Sequence, residues 1–301
     1  MGLTIRQLEV FVSIAKSETM TQAAKVLFLS QSACSAALAE LERHLKGHVF
    51  DRHGKRLVIN ERGKLILANS INILAQMAEI EGRLARTDGS LVSGHVQLVA
   101  SSTIGNYVLP PMIGQFLSMY STSTMALKVE NTEQVIRDVL NYEADIGFIE
   151  GTCSHENVEV IPWKHDELVV IVAPTHTLAT AKAVAISDLY HMHWILREHG
   201  SGTREKFEEA IKIKMTPFLE LGQTEAIKQA VQAGIGVSCV SRAAVFDELA
   251  AGQLVEIKVE SLDLRRDFFI LLHKKKYRSH AVSRFLREWC TGADRAFFPV
   301  I

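Results

Sequence analysis

The feature that most constrains this chain is a change of pattern near residue 90. Before it, apolar residues recur at helical spacing; from residue 94 onward, short apolar runs alternate with helical stretches. A chain patterned this way folds as differently built domains. Its 301 residues, 48% of them apolar, are enough for each domain to bury a core of its own. No run reaches the apolar length of a membrane span, so no membrane partner is expected. Met1–Arg6 leads directly into helical periodicity without the parts of an export signal, and the expected location is cytoplasmic. Cys34, Cys153, Cys239 and Cys290 follow no metal-ligand spacing, and Cys153 with His155 offers too few ligands for a site. No metal and no cofactor is expected.

The first sixty residues read as three helices and a hairpin. Thr4–Lys16 places Leu8, Phe11, Val12 and Ala15 on one face; Thr21 is the expected cap of a short helix, Gln22–Leu27. A break at Phe28–Ser30 follows, and Ser30 can cap a third helix whose Cys34, Leu38, Leu41 and Leu45 form a buried stripe. Gln31, Ser32, Ser35 and Ala36 lie off that stripe. A helix, a tight turn and a second helix with small polar N-terminal residues is the geometry that enters a major groove, where Gln can bridge an adenine edge and Ala can touch a thymine methyl. Val49–Asp51 and Leu57–Ile59 are expected strands around the turn Arg52–Arg56, a wing whose Arg52, Lys55 and Arg56 suit phosphates. Charge agrees: residues 1–65 hold ten Lys or Arg against six Asp or Glu, while the whole chain is −1. A basic end on an acidic body fits a partner with phosphates at one end only. Taken singly, each piece has a plain structural explanation; their order and spacing together point to double-stranded DNA.

From Asn60 to about Arg86 there is no Pro, and of the two Gly only Gly63 is early. Ile66, Ile73, Met77, Ile80 and Leu84 form a coiled-coil-like seam, with Leu67, Ile71 and Leu74 beside it. No neighbouring domain in sequence covers such a helix, so a second copy is the simplest partner, and a core helix within the chain is the alternative. Pairing sets two recognition helices about one or two DNA turns apart, roughly 34 Å per turn, on a pseudo-palindromic site. Thr87–Ser90 reads as a hinge.

Beyond it, strands are expected at Val96–Ala100, Met125–Glu130, Asp145–Ile149, Glu167–Ala173, Trp194–Arg197, Pro217–Leu221, Val237–Ser241 and Asp267–His273. Helices fit Gly105–Met119, Thr132–Asn141, Thr203–Lys214, Thr224–Ala233 and His280–Thr291. This alternation means an α/β fold with mostly parallel sheets. Ligands of such sheets sit at strand C-termini, against helix N-termini. Three such junctions carry hydroxyls: Ser101-Ser102-Thr103, Ser201-Gly202-Thr203 and Gln223-Thr224. Capping explains any one of them; three facing one cleft suit a small oxyanion, to which Lys228 could add a cation. Glu150, ending a strand, points into the same cleft. It could accept a hydrogen bond from a protonated oxyanion, pair with an ammonium group, or form a Glu150–Lys228 salt bridge that shapes the pocket.

The run Leu3–Phe11, the pair Ala23-Ala24, Leu29–Ala33, Leu41-Glu42 with Leu45, Val49–Arg52 and the Gly63 turn resemble the LysR-type signature of transcriptional regulators. That resemblance implies a winged helix-turn-helix over 1–60, a linker and dimerisation helix with its hinge over 61–90, and a two-lobed effector domain over 91–301. The effector domain would resemble periplasmic binding proteins, with lobe I about 91–163 and 267–301 and lobe II about 164–266. The chain would cross between lobes near Pro162–Lys164 and Leu264–Asp267. It further implies homodimers or tetramers and contact with RNA polymerase. Cys34 stands where a larger aliphatic residue is usual, and Ala36 and Ala37 where long polar residues are, so base reading leans on van der Waals contact and DNA shape. Ala100–Tyr107, Ile146–Gly151, Trp194–Glu198, Gly200–Glu205 and Glu225–Lys228 resemble a sulfite-responsive branch of this family. This implies a sulfite-type effector held by Ser102, Thr103, Glu150, Thr203 and Lys228 or neighbours such as Ser101 and Ser201. Sulfate, thiosulfate, a carboxylate or an amino-acid-like metabolite such as O-acetylserine are the alternatives. An enzyme is disfavoured: no histidine pair has metal-binding spacing, no G-x-S-x-G elbow occurs, and Gly200-Ser201-Gly202 has no nearby base. A solute-binding protein would need an export signal and no DNA-binding segment.

Overall fold

The computed structural model describes residues 2–84, 92 and 94–290. Two compact units result, one running to Gly94 and including Lys275–His280, the other comprising His95–Lys274 and continuing from Ala281.

In the first unit, α1 (Ile5–Ser17) starts at a reciprocal cap: Thr4 Oγ1 accepts the Gln7 amide, and the Gln7 side chain accepts the Thr4 amide. The next helix, α2 (Met20–Val26), is capped by Thr19 rather than Thr21. Thr19 Oγ1 accepts the Gln22 amide at 3.3 Å, which leaves Thr21 in the first turn. Phe28 turns the chain at φ 55°, and Ser30 then caps α3 (Gln31–His44) by accepting the Ala33 amide at 3.1 Å. Cys34, Leu38 and Leu41 are buried against Leu8, Phe11, Ile14, Phe50 and Leu57, with Leu45 at the edge. β1 (Phe50–His53) and β2 (Arg56–Ile59) pair antiparallel through a two-residue turn in which Gly54 takes φ 62°. The hairpin is tighter than a five-residue turn, so Arg52 and Arg56 stand on strands and Lys55 at the tip.

Asn60 Oδ1 accepts the Gly63 amide and opens α4 (Glu61–Leu84). The first half of α4 does have a neighbour: Ile66, Leu67, Ile71 and Leu74 pack on the same core. Ile66 therefore belongs to that core rather than to a self-pairing seam. Ile73 and Ile80 remain exposed, at 43% and 52%. The Leu84 side chain and the Thr87–Ser90 hinge fall outside the described residues.

In the second unit the strands and helices run β3 (Gly94–Ser101), α5 (Leu109–Met119), β4 (Ser123–Glu130), α6 (Thr132–Leu140), β5 (Ile146–Glu150) and β6 (Val158–Val172). They continue with β7 (Ile195–Leu196), α7 (Gly202–Ile211), β8 (Leu219–Glu220), α8 (Thr224–Gln232), β9 (Ser238–Ser241), α9 (Arg242–Ala250), β10 (Val255–Ile257), β11 (Arg265–His273) and α10 (His280–Phe285). One sheet has the order β10-β6-β11-β5-β3-β4, with β9 also on β6. Pairs β3–β5 and β7–β8 are parallel. Pairs β6–β11, β11–β5, β6–β9 and β10–β6 are antiparallel, against the expectation of mostly parallel sheets.

The reason is the pair of long strands that cross between lobes. β6 and β11 run against each other from Val158–His273 to Glu167–Arg265; their outer ends join β5 in one lobe and, through β6, β9 and β10 in the other. Patterning hides the first half of β6 because Pro162 interrupts it. Pro162 is tolerated opposite Phe269, where the register shifts at a bulge. At the crossing, His165, Asp166 and Glu167 face Asp267, Arg266 and Arg265.

Candidate DNA interface and effector cleft

On the first unit, Gln31, Ser32, Ser35 and Ala36 are exposed at the N-terminal end of α3, away from its buried stripe. A groove of about 530 Å³ is lined by Gln31 and Ser35 of α3 and by Arg52, Lys55 and Arg56 of the hairpin. Arg56 lies 3.9 Å from Glu18, whereas Arg52 and Lys55 enter no ion pair among the described residues. Gly63 keeps the hairpin seated on α4: a Cβ there would lie 2.3 Å from the Val49 carbonyl oxygen. The arrangement presents polar and small side chains for base edges flanked by cations for phosphates.

On the second unit, all seven residues expected around the effector are buried: Ser101, Ser102, Thr103, Glu150, Ser201, Thr203 and Lys228. None of the three hydroxyl-bearing helix starts uses a side-chain cap bond. Pro110 and Pro111 open α5 without N–H donors, and the preceding Ile104–Val108 winds as a wider π turn just after Thr103. Ser101 Oγ is buried with no hydrogen-bond partner, Asn106 donates to Ser102 Oγ at 3.5 Å, and Arg197 donates to Thr224 Oγ1 at 3.4 Å.

The lobes meet closely. Thr132 Oγ1 donates to the Glu150 carbonyl and accepts the Gly202 amide. A Cβ on Gly202 would sit 2.3 Å from that carbonyl oxygen, so only glycine lets the start of α7 approach the end of β5. The Thr103 amide donates to Glu150 Oε1 at 3.1 Å. Tyr107, beyond Thr103, donates to Glu225 at the start of α8 and bridges the two lobes.

Lys228 does not meet Glu150. Its ammonium is held by Glu225 at 2.9 Å and Glu248 at 2.6 Å and lies 5.6 Å from the centre of the Tyr107 ring. The expected Glu150–Lys228 salt bridge is replaced because α9, which carries Glu248, packs here. Burial alone would lower the Lys228 pKa, but the bonds it donates to Glu248 and Glu225 outweigh this and raise it. Burial would raise that of Glu225, and the bonds from Tyr107 and Lys228 bring it below the ordinary value. Burial, with the bond to Glu225, raises that of Tyr107 and keeps it a phenol.

The cation that reaches the hydroxyls of Thr103 and Thr203 is Arg266, on β11 at the crossing. It contacts Asp166 at 2.7 Å, Thr203 Oγ1 at 3.0 Å and Thr103 Oγ1 at 3.3 Å, and lies 3.9 Å from Glu150. Ser241 donates to the other Asp166 oxygen at 2.8 Å. Burial raises the Asp166 pKa, with only partial relief from the Arg266 charge and these bonds. Sequence reasoning misses Arg266 and Asp166; the available signal was Arg265-Arg266-Asp267, charged residues at an expected crossing that leads into an apolar strand.

A winged helix-turn-helix followed by a two-lobed α/β domain, with buried hydroxyls and charges where the lobes meet, defines a DNA-binding regulator with an effector-binding domain. The chain belongs to the LysR family of transcriptional regulators. Residues 5–64 match the bacterial regulatory helix-turn-helix protein, lysR family, and residues 89–291 the LysR substrate binding domain. It is 44% identical to the uncharacterized HTH-type transcriptional regulator YeiE of Escherichia coli, over 98% of this chain and 99% of that one. A full-length OxyR variant from Pseudomonas aeruginosa shares the fold, with TM-score 0.75 at 21% identity over 97% of this chain and 96% of that one. The regulatory domain of Synechocystis CcmR, solved in complex with 2-PG, covers 65% of this chain and 95% of its own at 28% identity and TM-score 0.59. These families and relatives are transcription regulators, not enzymes, and neighbouring structures hold small-molecule effectors. Among the described residues no helix is long and apolar enough to cross a membrane, and no group of His, Cys, Asp or Glu could hold a metal ion.

Proposed function

We propose that this chain is a cytoplasmic regulator that senses a small sulfur oxyanion, sulfite, and adjusts its grip on promoter DNA. The observation that carries the reading is the set of buried hydroxyls at helix starts from both lobes, none spent on capping, with Ser101 Oγ lacking any partner. Buried polar groups are ordinarily satisfied, so donors held in this state suit a compact ligand that accepts several hydrogen bonds. The resemblance to a sulfite-responsive branch of the family names the oxyanion. Ser101, Ser102, Thr103, Ser201 and Thr203 supply donors, Glu150 accepts a hydrogen bond from the protonated oxygen of hydrogen sulfite, and Lys228 with Tyr107 closes the mouth.

On DNA, Gln31, Ser32, Ser35 and Ala36 read base edges, while Arg52, Lys55 and Arg56 hold phosphates. The exposed Ile73 and Ile80 on α4 support a homodimer, or a tetramer of such dimers, on a pseudo-palindrome, from which it acts on RNA polymerase. A thermal-shift panel of sulfite, sulfate, thiosulfate and O-acetylserine tests the effector: sulfite should raise the melting temperature most. Stabilisation by another member of the panel and not by sulfite would replace the assignment; stabilisation by none of them would remove the oxyanion reading.

A further inference from the structure

We infer that Arg266 is the charged anchor of the effector, a deepening of the proposed function that rests on that reading. Its guanidinium sits where the two crossing strands bring both lobes together, with its side chain 3% exposed. Nε donates to Asp166 Oδ2, which also lies 2.7 Å from Nη2; Nη2 donates to Thr103 of one lobe and Nη1 to Thr203 of the other. The second Nη1 hydrogen has no acceptor among the described residues.

Each threonine hydroxyl oxygen accepts from Arg266, which orients its own O–H proton away from the guanidinium and leaves it to be donated. An oxyanion between Thr103 and Thr203 would receive two O–H bonds and the spare guanidinium N–H, with full positive charge behind them. Lys228 offers no such opening, because Glu225 and Glu248 already hold its ammonium. Arg266 is also faced by two carboxylates, Asp166 and Glu150, which leaves one surplus negative charge. That surplus favours a singly charged, proton-bearing oxyanion whose hydroxyl donates to Glu150 over a dianion with no proton to give.

The test must separate anchoring from structural pairing. The double variant Asp166→Asn/Arg266→Gln removes both charges of the pair, so the formal charge around Glu150 is unchanged, while keeping side chains that can hydrogen-bond one another. Arg266→Lys keeps the charge opposite Asp166 but loses the fork that spans the two threonines. Sodium sulfite is titrated into the full-length protein by calorimetry under anaerobic conditions, with duplex binding and circular dichroism as controls for folding. The double variant should bind sulfite at least tenfold more weakly than wild type, and Arg266→Lys at least fivefold more weakly. Affinity within twofold of wild type in either folded variant would overturn the anchor and leave the sulfite reading standing. If the double variant fails to fold, Arg266→Lys decides alone. Absence of sulfite binding by the wild type would instead overturn the sulfite reading, and this inference with it.

Discussion

Lys55 gives the clearest quantitative handle on the DNA interface. It sits at the tip of a two-residue hairpin turn with Gly54, exposed, and enters no ion pair among the described residues. Each phosphate neutralised on duplex DNA adds about 0.9 to the slope of log affinity against log salt. In the proposed homodimer, Lys55→Ala loses two contacts per site, so the slope should flatten by about 1.8. Between about 50 and 200 mM salt, wild-type affinity should then fall roughly twelvefold more than that of the variant. Arg52→Ala should match it. Arg56→Ala should flatten the slope by about half as much, because Glu18 at 3.9 Å already offsets part of that charge. Fluorescence anisotropy with a palindromic and a scrambled duplex over a salt series reads this directly. The effect should be the same on both sequences, since phosphate contacts carry no base information. An unchanged slope for Lys55→Ala, or a loss confined to the palindrome, would refute the phosphate role of the wing.

Gln31→Ala should change which base is preferred in the half-site while weakening scrambled DNA little, as measured by selection from a randomised duplex pool; equal weakening of all sequences would remove its base-reading role. Gly202→Ala should cost about 1–3 kcal/mol in urea denaturation, because the new Cβ meets the backbone carbonyl of Glu150 at 2.3 Å; an unchanged midpoint would show that α7 can retreat. Tyr107→Phe removes a hydrogen bond between the lobes, worth about 1 kcal/mol, and should shift sulfite affinity about fivefold; no shift would separate this bridge from ligand binding. Because its folded pKa lies below the ordinary carboxylate value, Glu225 contributes stability that is fully present above that value and lost as pH falls through the folded pKa. The advantage of wild type over Glu225→Gln in thermal melts should therefore hold at neutral pH and disappear on acidification; an advantage that grows with acid would contradict the assigned bonds.

The local elements of the first unit were legible in the chain itself. Leu8, Phe11 and Val12 share a helical face, Ser30 precedes a stripe of Cys34, Leu38 and Leu41, and a basic hairpin follows, because helix periodicity and capping act over three or four residues. The hydroxyl-rich turns at Ser101–Thr103 and Ser201–Thr203 were legible for the same reason, as small polar residues between a strand and a helix. Tertiary structure alone decided the charges of the cleft. Asp166 and Arg266 are partners because antiparallel strands a hundred residues apart take one register, and Lys228 turns from Glu150 to Glu248 because α9 packs beside α8. It also divided the apolar positions of α4 between the domain's own core, where Ile66 lies, and the exposed face of Ile73 and Ile80. A hydrophobic pattern records that a face must be covered, but what covers it, and which charge sits opposite which, depends on register and packing between segments far apart in the chain.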